Sequence, residues 1–238
     1  MFLTLPNAFG DAATNMAIDA ALLDTLPEAC VAFRHYGWTE PAITFGYSQR
    51  YQEVKAASPE GITLCRRMTG GGIVDHRNDW TYALIIQRTA NCADLSSNEL
   101  YARVHQALAQ ALAALQTETR LAPCPRQCGA APASKSSGPS QCFVQPVMND
   151  VLHPDGRKIA GAAMKRTRNG LLLQGSVDRA ALPEALDFQS FPEHFIHTLT
   201  QSLTLTRHQP EDLRPYFNSE RIERERSKFA SAPWTQRR

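Results

Sequence analysis

The chain is 238 residues long, 43% hydrophobic and 20% charged, with a formal net charge of +2. That length suits one domain spanning 1–238 with a substantial core, and the near-balanced charge excludes a polyanion-binding signature, so no nucleic acid is expected as partner. No run approaches 18 consecutive apolar residues, and Met1 to Asn15 lacks a basic start followed by an apolar stretch, so no membrane association is expected and the expected location is cytoplasmic.

Phe2 to Leu5 reads as a short strand, and Asp11 then caps an alanine-rich helix to about Leu26 in which Ala13, Met16, Ala17, Ala20 and Leu23 recur at helical spacing. Cys30 to Tyr36 and Ala42 to Phe45 read as strands, with turns at Gly37 to Pro41 and at Gly46-Tyr47-Ser48; His35 reads as a satisfied sheet residue. Thr63 to Arg67 and Thr81 to Ile86 are apolar β-runs flanking a glycine loop. Ser96 and Glu99 form a capping box ahead of Leu100, Val104, Ala107, Leu108, Ala111 and Leu115, which predicts a long amphipathic helix. Between 119 and 141 the composition turns to Pro, Gly, Ser and Ala, as expected of a flexible loop. Strands follow over Asp150 to Leu152, Lys158 to Lys165 and Leu171 to Val177, then short helices after Pro183 and a charged C-terminal helix over Glu211 to Phe229. Strands in both halves with helices grouped between and after them predict an α+β fold.

The six cysteines are scattered without the framework of a small disulfide-stapled domain, so reduced thiols are expected. Cys124 and Cys128 lack a second Cys/His pair at finger spacing, so no metal site is expected.

Three constellations carry chemistry. In Arg66-Arg67-Met68-Thr69-Gly70-Gly71-Gly72, three glycines allow backbone N–H groups to approach a phosphate or carboxylate while the arginines supply positive charge; a glycine-rich hairpin turn is the alternative. Gly156 to Ala163 places Lys158 on a strand beside small residues, where it is either a site cation or a solvated turn lysine. Cys142 follows Gly138-Pro139-Ser140 and precedes Phe143, which makes it either an exposed nucleophile or a buried, inert thiol.

With these residues in hand, the chain resembles the biotin/lipoate protein ligase superfamily, in its lipoate ligase and octanoyltransferase branch. Asn15 to Leu23 resembles the opening helix of that branch, Phe33 to Trp38 with Pro41-Ala42 and Gly46 to Gln49 its next block, and Arg66 to His76 its acyl- and nucleotide-binding loop. Gly156 to Ala163 resembles the lysine strand and Gln174-Gly175-Ser176 the segment after it. The resemblance implies mixed β-sheets around an acyl-binding tunnel flanked by helices. It implies an enzyme of protein lipoylation, forming an amide on a lysine of a lipoyl domain, in a glycine cleavage H protein or a 2-oxoacid dehydrogenase E2. Lys158 would then be catalytic, and Arg67, Thr69, Gly70, Gly71, Gly72, His76, Asn149, Asp150, Gly161, Ala162 and Gln174 would bind substrate.

Two enzymes share this frame. Asn149-Asp150 and the unbroken glycine triplet match an ATP- and Mg²⁺-dependent lipoate ligase acting through lipoyl-AMP. Cys142-Phe143-Val144-Gln145-Pro146 resembles the nucleophile segment of cysteine-dependent octanoyltransferases, which need no cofactor, as do Lys228 to Ser231 and Trp234. The length, with no room for the accessory domain of many ligases, further favours transfer from octanoyl-acyl carrier protein through an acyl-Cys142 intermediate. Arg157, Lys158, Lys165, Arg166 and Arg168 would form a patch steering an acidic carrier, or else serve as solubilising strand-edge charges. A non-catalytic module that binds acyl carrier remains the third reading.

Overall fold

A computed structural model describes residues 1–124 and 146–237. The first half contains β1 (Phe2–Thr4), β2 (Ala8–Gly10), α1 (Ala12–Thr25), β3 (Val31–Trp38), β4 (Ala42–Phe45), α2 (Tyr51–Ala56), β5 (Thr63–Arg66), β6 (Ile73–Asp75), β7 (Asp79–Gln87) and α3 (Ser97–Ala114). There follow β8 (Arg120–Leu121), β9 (Val151–Leu152), β10 (Lys158–Thr167), β11 (Gly170–Asp178), α4 (Phe191–Ser202), β12 (Arg207–His208), α5 (Ser219–Phe229) and α6 (Ala232–Thr235). The larger sheet runs β12-β1-β3-β7-β11-β10-β9-β8, with β2 also on β3, and a smaller sheet runs β5-β4-β6. Both mix parallel and antiparallel pairs, so the architecture is α+β with mixed sheets.

The large sheet is buried on both faces, and the period-two alternation of its central strands divides it. Leu171 and Leu173 of β11, with Tyr82, Leu84 and Ile86 of β7, pack under α3 and α4 among Leu100, Val104, Leu108, Phe191, Phe195 and Leu199. Leu172, Ala83 and Ile85 point the other way, against Met16, Ala17 and Ala20 of α1, with Phe229 of α5 in the same cluster. Helix α1 begins where Asp11 accepts from the Thr14 amide at 2.7 Å. It buries residues nearly all round because it touches both the large sheet and α5, as its alanine-rich composition permits.

Polar groups cross this second core. Asp19, fully buried, accepts from Arg34 at 2.7 Å, from Tyr36 at 3.1 Å and from Gln174 at 2.7 Å. Burial pushes its carboxyl up, against the pull of the Arg34 guanidinium. Asn15 on the same helix donates to the carbonyls of Gly10 and Gly37, which pins β2 and β3 to α1.

Several elements differ from expectation. Only half of the capping box forms: Ser96 Oγ accepts from the Glu99 amide, while the Glu99 carboxylate turns to Arg103 at 2.8 Å. The segment 119–141, expected to be loop, opens with strand β8 paired to β9, and its part after Cys124 lies outside the described residues. The C-terminal helix does not run from Glu211: Pro215 sits in a 3₁₀ turn over Arg214–Tyr216, and Asn218 caps a fresh start at Ser219. Strands of two or three residues such as β2, β6 and β12 are too short to show alternation.

Replacing Asp19 by Ala strands Arg34 in the interior without its counter-charge. The expected loss is about 3–5 kcal/mol of unfolding free energy, read from denaturant midpoints; a loss below about 1 kcal/mol would show that water replaces the carboxylate at little cost.

Candidate functional site

The glycine loop joins β5 to β6 and leans on Gly46, where a Cβ would lie 2.0 Å from the Gly71 carbonyl oxygen. Only glycine permits that approach, and Gly71 itself has φ +84°. The two arginines hold the loop. Arg67, buried, donates to the carbonyls of Gly70 and Gly72, each at 2.9 Å, and to Thr44 Oγ1 at 2.8 Å. Arg66 donates to the carbonyls of Tyr47 and Gln49 at 2.7 Å and to that of Thr235, while Trp234 returns a bond to the Arg66 carbonyl at 2.9 Å. Guanidinium forks match carbonyl-rich turns, and through these bonds the pair fixes the shape of the loop.

Facing the loop, Lys158 opens β10. Its ammonium is buried and meets Asp150 Oδ2 at 2.7 Å. The other Asp150 oxygen accepts from the Tyr101 hydroxyl at 2.5 Å, and Oδ2 also takes the Val147 amide at 2.7 Å. Tyr101 in turn accepts from the Ala162 amide at 3.1 Å, tying α3 to β10. Burial, then the adjacent Asp150, push the Tyr101 hydroxyl far above its ordinary value, so it stays a donor. Asn149 adopts φ +68°, a conformation its short polar side chain tolerates, and its amide bonds the Ala122 carbonyl in the turn that delivers Asp150. At Gly161 a Cβ would fall 2.5 Å from Lys158 Nζ, so a residue without a side chain makes room for the ammonium. Both Asp150 oxygens already accept from protein donors, so an ATP-bound Mg²⁺ at that acid would have to share it with Lys158.

Between loop and sheet lies a cavity of about 170 Å³. Its floor is a row of cross-strand neighbours, Gly161–Ser176–Thr81–Tyr36, running over β10, β11, β7 and β3. Three inter-strand steps make that row about 14 Å long. Its roof is Arg67, Gly71, Gly72, Thr44, Val74 and His76 from the loop and the small sheet, with Met16 of α1 also against it. Thr69 Oγ1 donates to Gln174 Oε1 at 2.7 Å and clamps roof to floor.

Of the residues singled out from sequence, Arg67, Gly71, Gly72, His76, Lys158, Gly161, Ala162 and Gln174 line this cavity. Thr69, Gly70, Asn149 and Asp150 stand behind it, bonded to lining residues or in the turns that carry them. Cys142 lies outside the described residues. The cations between Arg157 and Arg168 do not form one patch. Lys158 is buried on Asp150, Arg157 pairs with Asp155, Arg166 donates to the Ala93 and Leu95 carbonyls, and about 24 Å of strand separates Lys158 from Lys165. Sequence reasoning missed Tyr101 and Thr44. A tyrosine and a histidine at i, i+4 beside the apolar stripe of α3 were the available signal for the first; Thr44 gave none.

The lipoyl protein ligase A/B catalytic-domain model matches residues 11–187. The chain belongs to that family. Among curated relatives, octanoyltransferase LipM of Kyrpidia tusciae is 34% identical over 185 residues, covering 74% of this chain and 65% of the relative. That of Oceanobacillus iheyensis is 31% identical over 194 residues, covering 79% and 68%. The matches thus span about two thirds of the length of these relatives, 65% of the first and 68% of the second. In fold, a putative lipoate protein ligase from T. acidophilum with bound lipoic acid superposes with a TM-score of 0.72 at 18% identity, covering 99% of this chain and 98% of that one. A lipoate-protein ligase A bound with ATP gives 0.74 at 16%, covering 98% and 97%. At such identities the structural likeness establishes the fold alone.

Within this family member, the described buried thiols are poor nucleophiles. Burial pushes Cys65 up to about 12 and Cys30 up to about 11, which leaves almost no thiolate at neutral pH.

His105 lies beneath Tyr101, ring centroids 4.1 Å apart, fully buried, and among the described residues no group stands in good hydrogen-bonding geometry to either ring nitrogen. Burial, assisted by Lys158, lowers its pKa to about 3. The unfolded chain takes up this proton near pH 6.5 and the folded chain does not, so the stabilisation is complete above pH 6.5 and is lost as pH falls towards 3. At pH 3 the loss amounts to about 4 kcal/mol. Denaturation curves between pH 7 and 3 should show this slope, and His105→Leu should flatten it; an unchanged slope would assign the acid sensitivity elsewhere.

Proposed function

We propose that this chain is an octanoyltransferase of protein lipoylation, taking its acyl group from octanoyl-acyl carrier protein and passing it to a lysine of a lipoyl domain. The observation that carries the reading is the buried Lys158 ammonium, held by Asp150 at one end of a cavity of acyl dimensions. Family membership and the octanoyltransferase relatives support it. The acceptor would be a glycine cleavage H protein or a 2-oxoacid dehydrogenase E2.

The nucleophile in this reading is Cys142. It lies five residues before Val147, which lines the cavity, a separation an extended chain spans in no more than about 18 Å. Its thiolate attacks the thioester carbonyl, the C–S bond to the carrier breaks, and the carrier leaves as a thiolate. The acceptor lysine, as the neutral amine, then attacks the Cys142 thioester. The new C–N bond forms, Cys142 leaves as thiolate, and the amine's extra proton passes to that thiolate or to water. In both steps an oxyanion develops on the acyl carbonyl, and Lys158 supplies a preorganised positive charge beside it. A thioester already carries the activation that ATP would otherwise provide, which agrees with an Asp150 that accepts from Lys158, Tyr101 and Val147.

Two variants test this. Lys158→Ala should fold and lose about two to three orders of magnitude in acyl transfer. Cys142→Ala should abolish octanoyl transfer, which in the parent protein should need no ATP, and the acyl adduct on Cys142 seen by mass spectrometry should vanish with it. Full activity of Cys142→Ala together with an absolute ATP requirement would establish a ligase instead.

A further inference from the structure

The end of the cavity opposite Lys158 is closed by a single layer of side chains. Tyr36 and His76 line the cavity on one side and, on the other, a cleft of about 670 Å³ at the surface, bordered also by Phe9, Trp38 and Trp80. His76 is the plate in that layer. Its Nε2 meets Thr44 Oγ1 at 2.7 Å and its Nδ1 meets Asp79 Oδ2 at 2.8 Å. From behind, the Trp38 indole stacks on it with centroids 3.9 Å apart and planes 22° from parallel, and Trp38 Nε1 donates to Thr81 Oγ1 at 3.0 Å. The back of this wall and the edges of its imidazole are thus fixed, and the hydrogen-bonding atoms of the ring are taken within it.

We propose that His76, backed by Trp38, is the end plate that sets the length of acyl chain the protein accepts. The inference rests on the acyl-transfer reading above. With the carbonyl at Lys158, the tail runs along the floor row towards Thr81 and Tyr36 and stops at the imidazole. A longer chain has to displace a ring held by two buried hydrogen bonds and a stacked indole, and each such bond is expensive to leave unmade. Removing the plate joins cavity to cleft and gives the extra methylenes an exit.

The test is competition between octanoyl- and dodecanoyl-acyl carrier protein, read as the ratio of kcat/KM. His76→Ala and Trp38→Ala should raise the dodecanoyl share by about tenfold or more, the scale set by methylenes in an apolar site. Trp38→Phe, which only thins the backing, should move it less in the same direction. Val74→Phe, on the roof near Thr44, should lower octanoyl against hexanoyl. Should the alanine variants fail to fold, Trp38→Phe and Val74→Phe decide the matter. Folded variants that transfer octanoyl with the parental ratio overturn the end plate. A parent protein that transfers neither chain overturns the acyl-transfer reading instead.

Discussion

The carboxylate of Asp19 sits where the opening helix, the large sheet and the glycine loop converge, and the position of each depends on how that one buried charge is answered. Three donors reach it: the Arg34 guanidinium and Tyr36 hydroxyl from β3, and the Gln174 amide from β11. The third extends the network, because Gln174 spends its carbonyl on Thr69, one residue before the glycine triplet. A shift of the loop against the sheet would therefore unpair Thr69 from Gln174 deep inside the protein. Such networks are worth most when complete and are worst when partly broken, so the roof of the cavity is held in register with its floor.

The same device recurs at the cavity's other end with a different purpose. Arg34 spends its fork inside the protein, whereas Lys158, equally tied to a carboxylate, still lines the cavity. Lysine suits that place because its charge is compact, so one side of an ammonium can face a carboxylate while another borders the space where an acyl carbonyl would lie. Tyr101 and the Val147 amide hold Asp150 from behind, so the cation is placed before any substrate arrives. Gly161 completes the arrangement by leaving out the one carbon that would collide with Nζ.

The longer strands and the helices α1 and α3 were legible in the sequence as apolar runs and helical spacing, and the glycine loop and the lysine strand stood out as motifs. What the loop does with its arginines was not legible. Charge is visible in a sequence but its partner is not, and here the partners of Arg66 are the carbonyls of residues 17 and 19 positions before it and of Thr235 near the other end of the chain. The clustering of positive residues after Arg157 misled in the same way, since a ten-residue strand carries its two ends far apart and one of its lysines inward. Tyr101 escaped notice because a tyrosine on an amphipathic helix reads as core, and only the register of α3 over β10 brings its hydroxyl to Asp150. Asp150 was seen beside Asn149 as half of a ligand pair, and its ion pair with the lysine eight residues later was not visible.

A fixed cation at one end and a fixed plate at the other make the cavity a measure of distance as well as of volume. A chain too short for the floor row leaves apolar surface around Met16 and Val74 uncovered and loses binding energy in proportion to the missing methylenes. A chain too long meets the plate first and holds its carbonyl back from Lys158. In the proposed transfer the rate depends on that carbonyl lying within contact of the charge, so an error of one bond length at the tail would be transmitted along a confined chain to the reacting carbon. Length discrimination then falls on the chemical step as well as on affinity. It follows from the same two features that hold the cavity together, the Asp150-bound ammonium and the imidazole locked between Thr44, Asp79 and Trp38.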